Sequence, residues 1–368
     1  MADKQHLEEC IRLASQARGA TSPNPMVGAV VVRDDEVVGR GLHRCPGDPH
    51  AERVALDEAG DRARDATLYV NIEPCSHQGR TPPCIDGVLQ SGIKRVVVST
   101  LDPDPRVSGG GVKALRAAGL QVDVGELAFE ATRLNEGYLS YKTCGRPFVT
   151  AKAAISLDGR LATRHRESQW ISGEIARRRT HQLRAETDAI GVGIGTILDD
   201  DPRLTVRGDN SEGPRYRVVF DTNLRTPRIA KLLGESKGRV LLFCGPDAPA
   251  DAEAELGALG AEIVRISSGE KGLSWDDILS ELAAREVMSL LLEGGSGVLT
   301  SAFEAGIICK LFLVYAPLLI GGSGALSLWG GDGVDELTAA PRLRHVRHFS
   351  LGDDWAVEGY LQGPEPSL

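Results

Sequence analysis

Pro49-His50-Ala51-Glu52, followed by Pro74-Cys75 and then Cys84, is the stretch of this sequence best equipped for chemistry. One imidazole and two thiols supply three ligands that suit tetrahedral zinc with a fourth position left for water. An open position distinguishes a catalytic zinc site from a closed structural one. Zinc lowers the pKa of its water from about 15.7 to about 7, which makes hydroxide available at neutral pH. Glu52 lies two residues beyond His50 and need not be a ligand. Its carboxylate can take a proton from that water and pass it on to the group under attack. Pro49 suits a helix start and Pro74-Cys75 another, and helix N-termini favour thiolate and carboxylate. The competing readings are a closed zinc site, with His77 as the one residue able to fill the fourth place, or plain buried thiols.

A second group of residues reads as a nucleotide site. Gly294-Gly-Ser-Gly297 stands before an apolar helix. Glycine lets backbone N–H groups approach phosphate, and a helix N-terminus favours the anion. A simple tight strand-to-helix turn would look the same. Gly191-Val-Gly-Ile-Gly195 begins a strand, a glycine-rich turn and a polar loop that runs to Arg207. It is not the full dinucleotide fingerprint, and alone it is weak. Lys152 to Arg160 reads as a strand and a tight turn at Asp158-Gly159.

These residues need elements to hold them, and the pattern gives two α/β halves that meet near Lys142 to Pro147. The first half predicts helices over 4–19, 50–59, 84–91 and 113–118, the last ending at Gly119. Its strands are Val27 to Val32, the hairpin return at Val37-Val38 after Asp34-Asp35, 67–72 and 95–99. The second half predicts strands over 148–155, 189–194, 217–221, 240–244, 262–265, 289–292 and 311–316, with helices over 174–186 and 298–305. Strands alternating with helices argue for layered α/β domains on parallel or mixed sheets. The expected division is a domain over 1–145 and another over 146–368. At 368 residues the chain is too long for one ordinary core.

Composition excludes several classes. Hydrophobic residues at 42% and charged residues at 25% describe a globular chain, neither disordered nor collagenous. No apolar run approaches the roughly 20 residues of a membrane span, and Leu311 to Ile320 is broken by Pro317. Met1 to Leu13 carries Asp3, Lys4, Glu8 and Glu9 among its apolar residues, so no secretory signal is visible and a cytoplasmic protein is expected. The formal charge is −9, distributed as −2 before residue 147 and −7 after it, which does not describe a nucleic-acid surface. Seven cysteines at irregular spacing, without a signal, point to metal ligation or burial rather than disulfides.

Zinc deaminases of nucleobases carry H-x-E followed by P-C-x-x-C. This chain has H-A-E and P-C, but eight residues separate Cys75 from Cys84. The loop Pro74-Cys-Ser-His-Gln-Gly-Arg-Thr-Pro-Pro-Cys84 resembles that of the bacterial bifunctional riboflavin-biosynthesis deaminase–reductases, whose own variant has this insertion. Pro23-Asn-Pro-Met-Val-Gly-Ala-Val and Asp102-Pro-Asp-Pro-Arg-Val-Ser-Gly resemble two further segments of that family. The second half, through Lys152 to Arg160, Ser168-Gln-Trp-Ile-Ser172 and Gly191 to Arg207, resembles its reductase half.

The resemblance implies a cytidine-deaminase-like three-layer α/β/α first domain and a dihydrofolate-reductase-like α/β second domain. It implies zinc-dependent deamination of a diaminopyrimidinone bearing a ribosylamino 5′-phosphate, then NADPH-dependent reduction of the ribosyl chain to ribityl. By the same resemblance, His50, Cys75 and Cys84 hold zinc, Glu52 moves protons, and Asn24, His43, His77, Arg80 and Asp102 line the pyrimidine pocket. Arg80 stands where the family often has Lys, and Asp104 where it usually has Asn. Ala154, Trp170, Thr196, Asp200, Thr222, Gly295, Ser296, Gly297, Val298, Leu299, Thr300 and Ser301 are implied NADPH contacts. Ser168, Arg184, Leu204, Arg207 and Glu293 are implied substrate contacts, with the two arginines able to grip a phosphate. Lys152 and Asp200 both remain open as the proton source. The bland readings are a turn-forming Asn24, a surface His43, a core Trp170 and surface arginines. A small-molecule pyrimidine nucleotide is the expected partner, with no nucleic acid and no membrane, in a homo-oligomer. A nucleic-acid base deaminase would need a basic groove, and a zinc-stapled binding module would need a fourth protein ligand.

Overall fold

Apolar residues at Leu7, Cys10 and Ala14 recur at helical spacing, and α1 (Ala2–Ser15) buries all three. The computed structural model describes residues 2–76, 82–207, 213–234, 238–269 and 272–363. The described residues divide into two compact units, within 2–146 and 147–363.

In the first unit β1 (Gly28–Arg33) is apolar on both faces and sits inside the sheet. It turns through Asp34 and Asp35, both at positive φ, into β2 (Glu36–Leu42). Paired positive φ values match the twist that a two-residue hairpin needs. Next come α2 (Ala51–Ala59), β3 (Thr67–Val70), α3 (Cys84–Ser91) and β4 (Arg95–Val98). α4 (Gly110–Ala117), β5 (Gln121–Val124), α5 (Ala128–Leu134) and α6 (Glu136–Cys144) complete the unit. The strand order is β2-β1-β3-β4-β5, antiparallel across the first three and parallel across the last three. α1 packs on one face, with Leu7 and Cys10 against Val30, Val32 and Tyr69. α2 lies on the other, where a Cβ at Gly41 would stand 1.8 Å from the Ala51 carbonyl oxygen. The three-layer arrangement follows from this alternation of faces along β1 and β2.

The second unit starts with β6 (Phe148–Ser156), β7 (Arg160–Ala162), α7 (Glu174–Ala185) and β8 (Ala189–Gly193). It continues with α8 (Ile194–Asp200), β9 (Tyr216–Phe220), β10 (Arg239–Cys244), α9 (Ala250–Ala258) and β11 (Glu262–Arg265). The short β12 (Ser268–Gly269) and β13 (Gly272–Leu273) precede α10 (Trp275–Ala284), β14 (Ser289–Glu293) and α11 (Ser296–Glu304). β15 (Lys310–Ala316), β16 (Leu326–Ser327), β17 (Arg344–Leu351) and β18 (Asp354–Tyr360) close it. Nine strands form one sheet in the order β11-β10-β9-β8-β14-β6-β15-β18-β17. The run from β11 to β15 is parallel, and β18 and β17 add an antiparallel edge. Its core lies on both faces, around Phe243, Leu290 and Leu292 on one and Ile190, Val219 and Leu242 on the other.

Two local expectations change. Residues 194–200 form α8, where the sequence reads as glycine-rich turn and polar loop. Ile194 and Ile197 lie three apart, one helical turn, and Ile197 is buried against the sheet. Pro74-Cys75 starts no helix: Cys75 lies in irregular chain after β3, while Cys84 opens α3 behind Pro83.

Candidate zinc and dinucleotide sites

His50 is the N-cap of α2, Cys75 follows β3, and Cys84 is the first residue of α3. Three separate elements thus deliver the three soft donors. His50 Nδ1 lies 3.0 Å from Cys84 Sγ and 3.6 Å from Cys75 Sγ, and all the donor atoms lie within 4.8 Å of one another. That spacing fits ligands about 2.1–2.3 Å from a common tetrahedral centre. Among the described residues no further His, Cys, Asp or Glu joins the cluster. His77, the candidate for a fourth place, lies outside the described residues, as does Arg80.

The two thiols are driven in opposite directions. Cys75 is drawn down by the Cys84 thiol, by His50 and by the Cys84 backbone N–H, which donates to its sulfur at 3.4 Å. Cys84 moves the opposite way, pushed up by the neighbouring Cys75 and by burial. Glu52 is 3% exposed, and burial, helped by Cys75, raises its carboxyl to about 6. A group that titrates near neutrality can both accept and return a proton.

Asn24 and His43 adjoin this cluster. Asn24 Nδ2 donates to His43 Nε2 at 3.1 Å, and His43 Nδ1 donates to the Pro49 carbonyl at 3.3 Å. The His43 ring meets His50 edge-on at 5.3 Å between centroids. His43 is buried, not a surface residue, and burial lowers its pKa, so the ring is neutral. Asp102 is also buried and accepts Tyr138 Oη on both oxygens, at 3.0 and 3.1 Å. Burial raises its carboxyl to about 6. Asp104 turns to Arg106 and to Lys142 Nζ at 2.9 Å, and the Arg106 hydrogen bonds hold its carboxyl below the ordinary range. Glu73 was not singled out by the sequence. It accepts the N–H groups of Asp102, Gly109 and Val112, which fastens their segment beside the cysteine loop. Its position two residues before Cys75 is the one sequence signal.

The second unit holds a cavity of about 1360 Å³. That exceeds an ordinary single-ligand pocket and leaves room for a dinucleotide beside a second molecule. Ala154, Trp170, Thr196, Asp200, Gly295, Ser296, Gly297 and Val298 line it, as do Ser168, Arg184, Leu204, Arg207 and Glu293. Thr222, Leu299, Thr300 and Ser301 are not among its lining residues. α11 presents only its first turn: Leu299 is in the core, Thr300 Oγ1 accepts the Gly330 N–H at 2.8 Å, and Ser301 Oγ accepts Trp275 Nε1 at 3.0 Å. Gly294 has φ +110°, and a Cβ there would stand 2.4 Å from Thr196 Oγ1. Only glycine holds the Gly295 N–H on Thr196 Oγ1, at 3.1 Å, while leaving the start of α11 open. This cradle fits a pyrophosphate. Trp170 is no core aromatic: it is 63% exposed, with the Arg177 guanidinium 4.7 Å above its ring.

Glu293 ends β14 opposite Lys152 of β6. Arg184 grips it with two hydrogen bonds, of 2.8 and 2.9 Å. Burial opposes ionisation of Glu293, but the Arg184 charge and these hydrogen bonds hold the carboxyl near 2. Burial lowers the Lys152 ammonium, with Glu293 opposing. Ser168 Oγ donates to Asp200 at 3.0 Å.

Residues 147–357 match the RibD C-terminal domain, and residues 1–100 match the cytidine and deoxycytidylate deaminase zinc-binding region. The riboflavin biosynthesis protein RibD of Aquifex aeolicus is 41% identical over 96% of this chain and 97% of its own length. That of Escherichia coli K12 is 37% identical over 95% and 97%. Among solved structures, Acinetobacter baumannii RibD superposes with a TM-score of 0.87 at 34% identity, covering 98% of both chains. The Thermotoga maritima diaminohydroxyphosphoribosylaminopyrimidine deaminase/5-amino-6-(5-phosphoribosylamino)uracil reductase gives 0.84 at 33%, again over 98% of both. With both halves matched and relatives aligned along nearly the whole length, this chain belongs to the RibD family of riboflavin-biosynthesis proteins.

Proposed function

We propose that this chain is a two-step enzyme of riboflavin biosynthesis. Its domain over 1–145 hydrolyses an amine from 2,5-diamino-6-ribosylamino-4(3H)-pyrimidinone 5′-phosphate. Its domain over 146–368 then reduces the ribosyl chain with NADPH, giving 5-amino-6-ribitylaminouracil 5′-phosphate. The observation that carries the reading is the convergence of His50, Cys75 and Cys84 beside the buried Glu52.

Bound zinc would supply the Lewis acidity that brings hydroxide within reach of neutral pH. His50, Cys75 and Cys84 would hold it. Glu52 takes one proton from water and gives it to the ring nitrogen as hydroxide adds to the carbon, then moves the proton of the added hydroxyl to the amine, which leaves as ammonia as the carbonyl forms. Asn24, His43 and Asp102 line the pyrimidine pocket, joined by His77 and Arg80. Asp104 is held by Arg106 and Lys142, which leaves its contact with the pyrimidine open.

NADPH would supply the hydride in the second unit. The first turn of α11, with Thr196 behind it, receives the pyrophosphate, and Trp170, Ala154 and Asp200 flank the cofactor. Arg184 and Arg207 meet the substrate phosphate, with Ser168, Leu204 and Glu293 around it. Lys152, its ammonium weakened by burial, delivers the proton to the nascent hydroxyl. Asp200 is engaged by Ser168.

Seven free cysteines support a reducing, cytoplasmic location. The exposed edge strand β17, with Val346 and the neighbouring Trp355 half exposed, supports a homo-oligomer. The test is a coupled assay on the diaminopyrimidine. Ammonia should appear with or without NADPH, and NADPH should be oxidised only after it appears. Ammonia release that persists in Glu52→Ala would defeat the first half, and no oxidation with the deaminated product would defeat the second.

A further inference from the structure

His181 is a cavity residue that neither the motifs nor the comparisons mark. It stands on α7 three residues before Arg184, which places both side chains on one face of the helix. Both reach the segment 204–207. His181 Nδ1 accepts the Arg207 backbone N–H at 3.3 Å, and Arg184 Nη1 donates to the Thr205 carbonyl at 3.0 Å. The segment requires holding, because the buried Leu204 has φ +54°, a conformation unfavourable for a leucine. Arg207 itself is exposed at the cavity wall.

We propose that His181 is a positioning residue of the reductase site: as a neutral acceptor it fixes the Arg207 backbone, and so sets where the Arg207 guanidinium meets the anionic end of the sugar-phosphate substrate. The assignment rests on the reductase reading above. An acceptor at Nδ1 places the ring proton on Nε2. Protonation turns Nδ1 into a donor facing another donor, and the hydrogen bond is lost. The groups around the ring keep it neutral near pH 7. Burial lowers its pKa, and so do the charges of Arg184 on its own helix and Arg207 on the loop. Glu293 on β14 and the Thr205 backbone oppose them. Lys152 of β6 acts on Glu293 in turn.

The test uses the full chain, with the deaminated ribosylaminouracil phosphate and NADPH as varied substrates. His181→Phe keeps a ring and removes the acceptor. His181→Asn keeps an acceptor near the position of Nδ1. Losing one such hydrogen bond predicts a rise of about five- to tenfold in KM for the pyrimidine in the Phe variant. The turnover number and the KM for NADPH should stay within about twofold, and the Asn variant should recover most of the loss. As the pH falls below the ordinary histidine range, the pyrimidine KM of the unmodified chain should rise relative to that of the Asn variant, a ratio in which the titration of the substrate phosphate cancels. An unchanged pyrimidine KM in His181→Phe, or equal effects on both substrates, would overturn the assignment. No NADPH oxidation by the unmodified chain would overturn the reductase reading and the assignment with it.

Discussion

In the proposed mechanism Glu52 loses and regains a proton within one turnover, and its surroundings set it near neutrality. Burial raises its carboxyl to about 6 from an ordinary 4.5, so the folded chain holds that proton more tightly than the unfolded one. The sign follows directly: in the metal-free protein the ionised carboxyl is a cost above pH 6, worth about 2 kcal/mol, and the cost fades as pH falls. Glu52→Gln removes the charge and keeps the shape. Urea unfolding of the zinc-free chain at pH 7.5 should show the first unit about 1–2 kcal/mol more stable in Glu52→Gln, with the gain gone by about pH 4.5; equal or lower stability at pH 7.5 would contradict the burial argument. Residues of this kind are legible in a sequence because a metal dictates ligand type, so His50, Cys75 and Cys84 stand out as a set. His181 and Glu73 do not. Each acts on backbone N–H groups, which every residue but proline carries, so no motif marks them.

At the scale of elements, glycines decide whether the site can form. Gly39 and Gly41 of β2 let α2 lie directly on the sheet, and α2 carries His50 and Glu52 at its start. Gly41→Ala would drive a Cβ against the Ala51 carbonyl, and backbone cannot give as a flexible side chain can. The expected cost is about 3 kcal/mol. Zinc affinity and ammonia release should fall, while NADPH oxidation on supplied intermediate continues; a competition titration for zinc checks the first effect. Helices with a clear apolar stripe, such as α1 and α3, are legible from periodicity. The glycine-rich run from 191 to 195 misleads for a physical reason. Gly191 is required by packing, since a Cβ there would meet the Phe220 ring at 2.8 Å and Leu292 at 3.2 Å, and the chain after Gly193 turns straight into α8. Cys75 misleads in the opposite sense, because the eight intervening residues move the helix start from the first cysteine to the second.

At the scale of the whole chain, each unit has its own sheet and its own core, so the two chemistries draw on separate scaffolds. α/β alternation in the sequence anticipates both sheets. The antiparallel edge of the second sheet was not anticipated. β17 is almost wholly exposed, so it lacks the alternation of apolar and polar residues that marks a half-buried strand. Separate scaffolds make the two activities separable by metal alone. The most direct measurement is ammonia release from the diaminopyrimidine, alongside NADPH oxidation with the deaminated product, before and after chelation and after zinc is restored. Chelation should abolish the first, leave the second within about twofold, and be reversed by zinc. Ammonia release that survives full removal of zinc would contradict the account at its centre.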